Sequence, residues 1–368
     1  MDTLKTIPVA SPQMGPEEKQ AVLDVLDSGQ LAQGPVVEAF EREFAAWCGV
    51  KHAVAVNSGT AALHLTMLGH GIGEGDEIIT SPFTFVASAN AALFVGARPV
   101  FVDIEKETYC MDPARVEAAI TPRTRALMPV DLYGHPAQID ELHEIADRHD
   151  IVLIEDACQA HGAAIGARKA GAFGVTATFS FYPTKNMTTA EGGMVTTPDD
   201  AVAEKVAMLR QHGASRRYHH DVLGYNFRMT DIAAAIGRAQ LAKLARFNEV
   251  RRRHASVLDE GLAGTPGVTL PRERRGCRHV YHQYTIAVEK DRDRFQQRLR
   301  ELGVGTAVHY EVPVHRQPLY MGLGYDQVSM PVAEWAADHV LSLPVHPGLS
   351  DEDLDRIIDS VRKVASTA

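Results

Sequence analysis

The chain has 368 residues, 45% hydrophobic and 23% charged, the composition of a globular protein long enough for about two domains. Its net charge of -10, with lysine and arginine scattered, argues against a nucleic-acid surface; Arg251-Arg252-Arg253 and the stretch from Arg272 to Arg278 read as solvated helix and loop faces. No apolar run approaches the roughly 20 residues of a membrane span, no targeting pattern opens the chain, and cysteines at 48, 110, 158 and 277 form no Cys-x-x-Cys pair, so reduced thiols in a cytoplasm are expected.

In chain order, β-like runs fall at 53–57, 77–80, 99–102, 126–131, 151–155, 177–182 and 193–196, separated mostly by helix-like stretches such as 60–69, 84–95 and 138–149. This alternation predicts an α/β fold around a mainly parallel seven-stranded sheet. Residues 229 to about 262 carry apolar groups at helical spacing, with Thr230 as the start of one long helix bridging two domains. Gly264-Thr-Pro-Gly267 breaks that pattern. Strands near 280–288 and 304–309, with helices near 291–302, 332–341 and 350–364, predict a smaller α+β domain. The expected division is a large domain over 1–245 and a small one over 246–368.

Three positions carry chemistry. Lys185 lies in Ala177-Thr-Phe-Ser-Phe-Tyr-Pro-Thr-Lys185-Asn186, ahead of the pair Gly192-Gly193. Asp156 follows the apolar run Ile151-Val-Leu-Ile154-Glu155, so its carboxylate is expected at the carboxyl end of a buried strand, where open parallel sheets hold ligands. Ser58, Gly59 and Thr60 fall between a short strand and a helix, where free amides and the helix dipole suit a phosphate. A lysine for an aldehyde, a carboxylate for a ring nitrogen and donors for a phosphate are what pyridoxal phosphate requires. Each element alone has a plainer reading: Ser-Gly-Thr before a helix is commonly only an N-cap.

Their order and surroundings resemble the DegT/DnrJ/EryC1/StrS family of sugar aminotransferases, a branch of the fold-type I pyridoxal-phosphate enzymes. The resemblance spans nearly the whole chain. It rests on Gly34-Pro35 before Phe40-Glu41, Asn57-Ser-Gly-Thr60, Gly75-Asp76-Glu77 with Pro82-Phe-Thr-Phe85, Glu155-Asp-Ala-Cys-Gln159-Ala-His161-Gly162, Ser180 to Lys185, Gly224-Tyr-Asn226-Phe-Arg228-Met229, and His309-Tyr310. It implies that Lys185 anchors the cofactor and acts as base, and that Asp156 faces the pyridine nitrogen. By the same resemblance Gln159 meets the phenolic oxygen, Phe85 stacks on the ring, and Ser180, Gly59 and Thr60 take the phosphate. Asn226 would reach the phosphate site of a neighbouring subunit, making a homodimer with shared sites. His309, Tyr310 and His315 lie in segments that approach the sugar.

The implied activity is a ping-pong transamination in which L-glutamate converts pyridoxal phosphate to pyridoxamine phosphate, and this aminates a 3- or 4-keto group of a nucleotide-linked deoxysugar. Plainer readings stand beside several of these residues: core packing for Phe85, a simple turn for Gly224-Tyr-Asn226, and a satisfied structural histidine for His161. His212, His219 and His220 lack a metal-binding helix motif and read as a mobile loop over the site. An oxidoreductase is disfavoured because Gly69-x-Gly71-x-Gly73 lacks the dinucleotide spacing and follows a helix. A sugar dehydratase of this family would replace the lysine by histidine; a cyclitol acceptor and a non-catalytic regulator complete the alternatives.

Overall fold

The computed structural model describes residues 6–173 and 176–367. Seven strands form the central sheet: β1 (His52–Val56), β2 (Glu77–Thr80), β3 (Arg98–Phe101), β4 (Thr124–Met128), β5 (Val152–Asp156), β6 (Thr176–Ser180) and β7 (Gly193–Thr197). They lie in the order β1-β7-β6-β5-β4-β2-β3, and β7 alone runs against the rest. Strands β2 and β5 are buried along nearly their whole length, around the apolar centres Ile78-Ile79 and Val152-Leu-Ile154, since helices cover the sheet above and below.

Helices α1 (Pro16–Ser28), α2 (Pro35–Cys48), α3 (Gly59–Gly69), α4 (Ala87–Phe94), α5 (Ile139–His149) and α6 (Asp200–Leu209) belong to this body. The sequence expectations omit α1, α2 and α6. In α5, Ile139, Leu142, Ile145 and Ala146 make one buried stripe, with Asp140 and Glu141 in the first turn and Arg148 and His149 in the last, as the helix dipole favours. The Gly34-Pro35 motif opens α2: Asp231 accepts from the Gly34 and Val37 amides at 2.9 Å each, satisfying donors the helix itself cannot.

Helix α7 (Asp231–Leu262) begins at Thr230, whose hydroxyl accepts from the Ala233 amide at 3.2 Å. At about 1.5 Å per residue it reaches from one apolar core to a second. Leu241 and Leu244 sit in the core under the large sheet. Leu258 and Leu262 join Tyr284, Ile286, Leu299, Leu341 and Ile357 in the other, together with Ile7. The second core packs on an antiparallel sheet of β8 (Val268–Thr269), β9 (Tyr284–Val288) and β10 (Val340–Leu343). Strand β10 follows the helix Pro331–His339 directly, where the sequence predicts helix to 341. Around 304–309 the chain makes only isolated bridges, Ile7 with Val304 and Ala307 with Ser342.

Candidate active site

The carboxyl ends of β5 and β6 and the start of α3 bring the three expected elements together. After β6 the chain folds into a tight loop: Phe181 donates to the Gly192 carbonyl at 2.9 Å, and its own carbonyl accepts from the Thr189 amide at 3.0 Å and the Thr188 hydroxyl at 2.8 Å. Lys185 sits on this loop, its amide donating to the Tyr182 carbonyl at 2.9 Å. The next residue fixes it from behind, because Asn186 Nδ2 donates to Asn248 at 2.9 Å and to the Val280 carbonyl at 3.0 Å. Burial lowers the Lys185 ammonium from its usual range, while the nearby Asp156 carboxylate pulls the other way.

Asp156 is buried as the last residue of β5. Ser88 Oγ donates to its Oδ2 at 2.6 Å, and the Cys158 amide donates to its Oδ1 at 3.2 Å. Ser88 escaped the sequence reading; its only signal is a polar residue on the covered side of α4. Next to Asp156, Glu155 is fully buried and accepts twice from the Gly171 amide, at 2.9 and 3.1 Å. Asp131 is equally buried and accepts from the Ala137 amide at 2.8 Å. Burial raises both carboxyls, Asp131 to about 6, and the nearby Asp131 charge raises Glu155 further.

Ser58 caps α3 by accepting from the Ala61 amide at 3.0 Å. The Gly59 and Thr60 amides lie in the first turn, where the helix offers no acceptor, and point to an anion site. A Cβ on Gly59 would lie 2.7 Å from Ser180 Cβ, so the absence of a side chain brings Ser180 against the turn. The second glycine of the pair answers a similar demand: a Cβ on Gly193 would lie 2.3 Å from the Ser58 carbonyl oxygen.

Around this cradle, Phe85 is 57% exposed, 6.4 Å from the Tyr310 ring, which excludes core packing as its role within one chain. Gln159 accepts from the Tyr133 amide at 2.8 Å and donates to the Tyr310 hydroxyl at 3.1 Å. His309 is half-buried with Nδ1 2.9 Å from Ser342 Oγ. The side chain of Asn226 is exposed, and its carbonyl accepts from Asn57 Nδ2 at 3.5 Å.

Three readings need correction. His315 has no solvent exposure and its Nε2 sits 2.9 Å from Glu334, so it packs the fold and does not face a sugar. Arg251 is buried, not solvated: its guanidinium donates to the Tyr281 and His282 carbonyls at 3.1 and 3.3 Å. His161 is buried among Phe179 and Phe181 with neither ring nitrogen hydrogen-bonded, so it is not a satisfied structural histidine; burial drives it down to about 3 and keeps it neutral. His219 and His220 form an exposed hairpin strand against 214–216, and no cluster of potential metal ligands occurs among the described residues.

A half-buried lysine, a carboxylate held on both oxygens at a strand end, and a helix start opened by glycine fit a phosphorylated pyridine aldehyde. With this sheet order they define a fold-type I pyridoxal-phosphate enzyme. The pattern of the DegT/DnrJ/EryC1/StrS aminotransferase family matches residues 12–362, and the chain belongs to that family. It is a transaminase using pyridoxal phosphate, with pyridoxamine phosphate as the alternate form. A dTDP-3-amino-3,4,6-trideoxy-alpha-D-glucose transaminase of Streptomyces venezuelae is 46% identical over 95% of this chain and 92% of its own length. A UDP-N-acetyl-3-dehydro-alpha-D-glucosamine 3-aminotransferase of Acidithiobacillus ferrooxidans is 43% identical over 92% of this chain and 91% of its own. The crystal structure of S. venezuelae DesV superposes with a TM-score of 0.93 at 46% identity, covering 95% of this chain and 94% of that one. The pyridoxamine-phosphate form of a sugar aminotransferase from Streptococcus pneumoniae gives 0.94 at 30% identity, over 98% of each chain.

Proposed function

We propose that this enzyme moves the amino group of L-glutamate to the keto carbon of a nucleotide-linked deoxysugar, giving an amino sugar. The keto group is at C3 or C4. Position 3 is favoured by the two relatives whose names carry it, one on a dTDP sugar and one on a UDP sugar. The observation that carries the reading is Asp156, buried at a strand end beside Lys185 with a donor on each oxygen.

Bound pyridoxal phosphate supplies an aldehyde and an electron-withdrawing ring able to stabilise a carbanion. Asp156 holds a proton at the ring nitrogen, and Lys185 serves in turn as covalent anchor and as the amine that moves a proton between substrate and cofactor carbons. Gly59, Thr60 and Ser180 hold the phosphate, Phe85 covers one ring face, and Gln159 turns towards the phenolic oxygen. His309 and Tyr310 line the side on which the sugar enters.

The working unit in this proposal is a cytoplasmic homodimer in which Asn226 reaches the phosphate of a second copy; its exposed side chain, and Leu223 at 86% exposure beside it, support that reading. Among the described residues no helix is long and apolar enough to cross a membrane. The division into 1–245 and 246–368 is proposed from the two main cores, with Ile7 belonging to the second and Val280, Ala333, Ala336, Ala337 and Val340 to the first. Incubation with L-glutamate and a panel of nucleotide ketosugars, followed by 2-oxoglutarate release and product mass, tests the function. Inertness with every pair would refute it.

A further inference from the structure

Strands β5 and β6 are neighbours in the sheet, and the ladder fixes Asp156 against Thr178. Lys185 lies beyond that ladder, on the loop after β6. Among the described residues, the Asn186 side chain makes the only hydrogen bonds that tie residues 183–187 to chain outside the loop. One of them goes to Asn248, midway along α7, and Asn248 makes a second bond of its own: its Nδ2 donates at 2.7 Å to the main-chain carbonyl of His161. His161 belongs to the turns that leave Asp156, closed by the Ala160 amide on the Ala157 carbonyl and the Ala163 amide on the Ala160 carbonyl, at 2.9 Å each. One side-chain amide thus joins the loop that carries the lysine to the turns that follow the carboxylate.

Carbonyl oxygens fix the direction of every bond, because they only accept. The His161 carbonyl requires Asn248 to present its NH2 group, which leaves Oδ1 for Asn186. The Val280 carbonyl requires the NH2 group of Asn186, whose second proton goes to Asn248 Oδ1. Turning either amide over would set oxygen against oxygen, and both side chains are buried. Gly162 makes room for the arrangement: its φ of +87° is left-handed, and a Cβ there would lie 2.7 Å from Asn248 Nδ2.

We propose that Asn248 is a positioning residue, a strut that holds the Lys185 loop at its working distance from Asp156. The inference rests on the roles given to Lys185 and Asp156 above and adds the part that sets one against the other. Lys185 must reach the cofactor aldehyde while Asp156 meets the ring nitrogen of the same molecule, so the spacing of the two segments decides whether both contacts are made at once. A displacement of about 1 Å in such an arrangement costs up to about a hundredfold in rate.

The test compares wild type with Asn248→Ala, which removes both bonds, and Asn186→Ala, which releases the loop alone. Borohydride fixation and peptide mapping of the wild-type holoenzyme come first; a link at a position other than 185 would refute the lysine reading itself. With the link at 185, both variants should capture pyridoxal phosphate roughly tenfold more slowly as apoenzymes. The limiting rate at which L-glutamate converts the bound cofactor to its pyridoxamine form should fall by the same factor, at an unchanged half-saturating concentration. Binding of pyridoxamine phosphate, which has no aldehyde to offer the lysine, should equal that of wild type. Rates are taken per bound cofactor, so a purely structural defect lowers the amount of loaded enzyme and leaves them unmoved. If Asn248→Ala does not fold, Asn186→Ala carries the test alone. Unchanged capture in the folded variants, or pyridoxamine phosphate binding weakened as much as capture is slowed, overturns the proposal.

Discussion

Ser88 reaches across from α4 to donate to Asp156 at 2.6 Å, with its own oxygen 2.9 Å from the Thr84 hydroxyl. Together with the Cys158 amide it fixes the plane of the carboxylate. Ser88→Ala leaves one buried oxygen without its donor and should lower kcat about tenfold, for a loss of roughly 1–2 kcal/mol. Asp156→Asn should nearly abolish turnover while the protein stays folded. Steady-state kinetics on both variants decide this; wild-type kcat in Ser88→Ala would mean that the hydroxyl does not orient the acid.

Gly59 and Gly193 make a graded pair. A methyl at Gly59 meets Ser180 Cβ at 2.7 Å, whereas at Gly193 it meets the Ser58 main-chain carbonyl more closely, at 2.3 Å. Gly59→Ala should weaken cofactor retention by about 1–3 kcal/mol, the usual cost of overpacking, with a smaller change in melting temperature. Gly193→Ala should lower the melting temperature more. Dialysis against cofactor-free buffer and thermal melts separate the two effects, and equal cofactor retention in wild type and Gly59→Ala would remove the phosphate role from this turn.

Much of this was legible in the sequence because it rests on local pattern. The strand before Asp156 opens on the apolar run Val152-Leu-Ile154, the one ending at Ser180 is rich in β-branched and aromatic residues, and Thr230 announces α7 by its capping position. What escaped depends on partners far along the chain. Ser88 matters through a residue 68 positions away, and Asp231 caps a helix almost 200 residues earlier. His315 looked like its neighbour His309 in sequence, yet one packs against Glu334 and the other lies against Ser342, near enough to feel the Lys185 charge. Arg251 misled for a related reason: three consecutive arginines read as solvated, but α7 turns the first of them inward.

Lys185 has a lowered ammonium pKa because burial disfavours its charged form. Capture of pyridoxal phosphate by the apoenzyme should therefore rise with pH and level off below the 10.5 typical of lysine. Stopped-flow absorbance across pH 6–10 measures it. Lys185→Ala should stay folded, lack the yellow colour and leave no borohydride-fixable link, and turnover retained in that variant would mean the anchor lies elsewhere.

Asp131 and Glu155 make stability depend on pH with a definite sign. Asp131 titrates near 6 in the folded protein against an ordinary 3.8, so between those values the folded state holds more protons than the unfolded one. Its contribution is present in full below about pH 4 and is lost as pH rises through about 6. Asparagine does not ionise, its Oδ1 keeps the hydrogen bond from Ala137, and it removes the charge that raises Glu155. Asp131→Asn should thus be more stable than wild type at pH 7.5, by about 1–3 kcal/mol, with the advantage shrinking towards pH 4.5. Urea unfolding of both proteins at the two pH values measures the difference. A gap independent of pH would show that the pair does not carry the raised pKa, and a less stable variant at pH 7.5 would show that the ionised acid is itself stabilising.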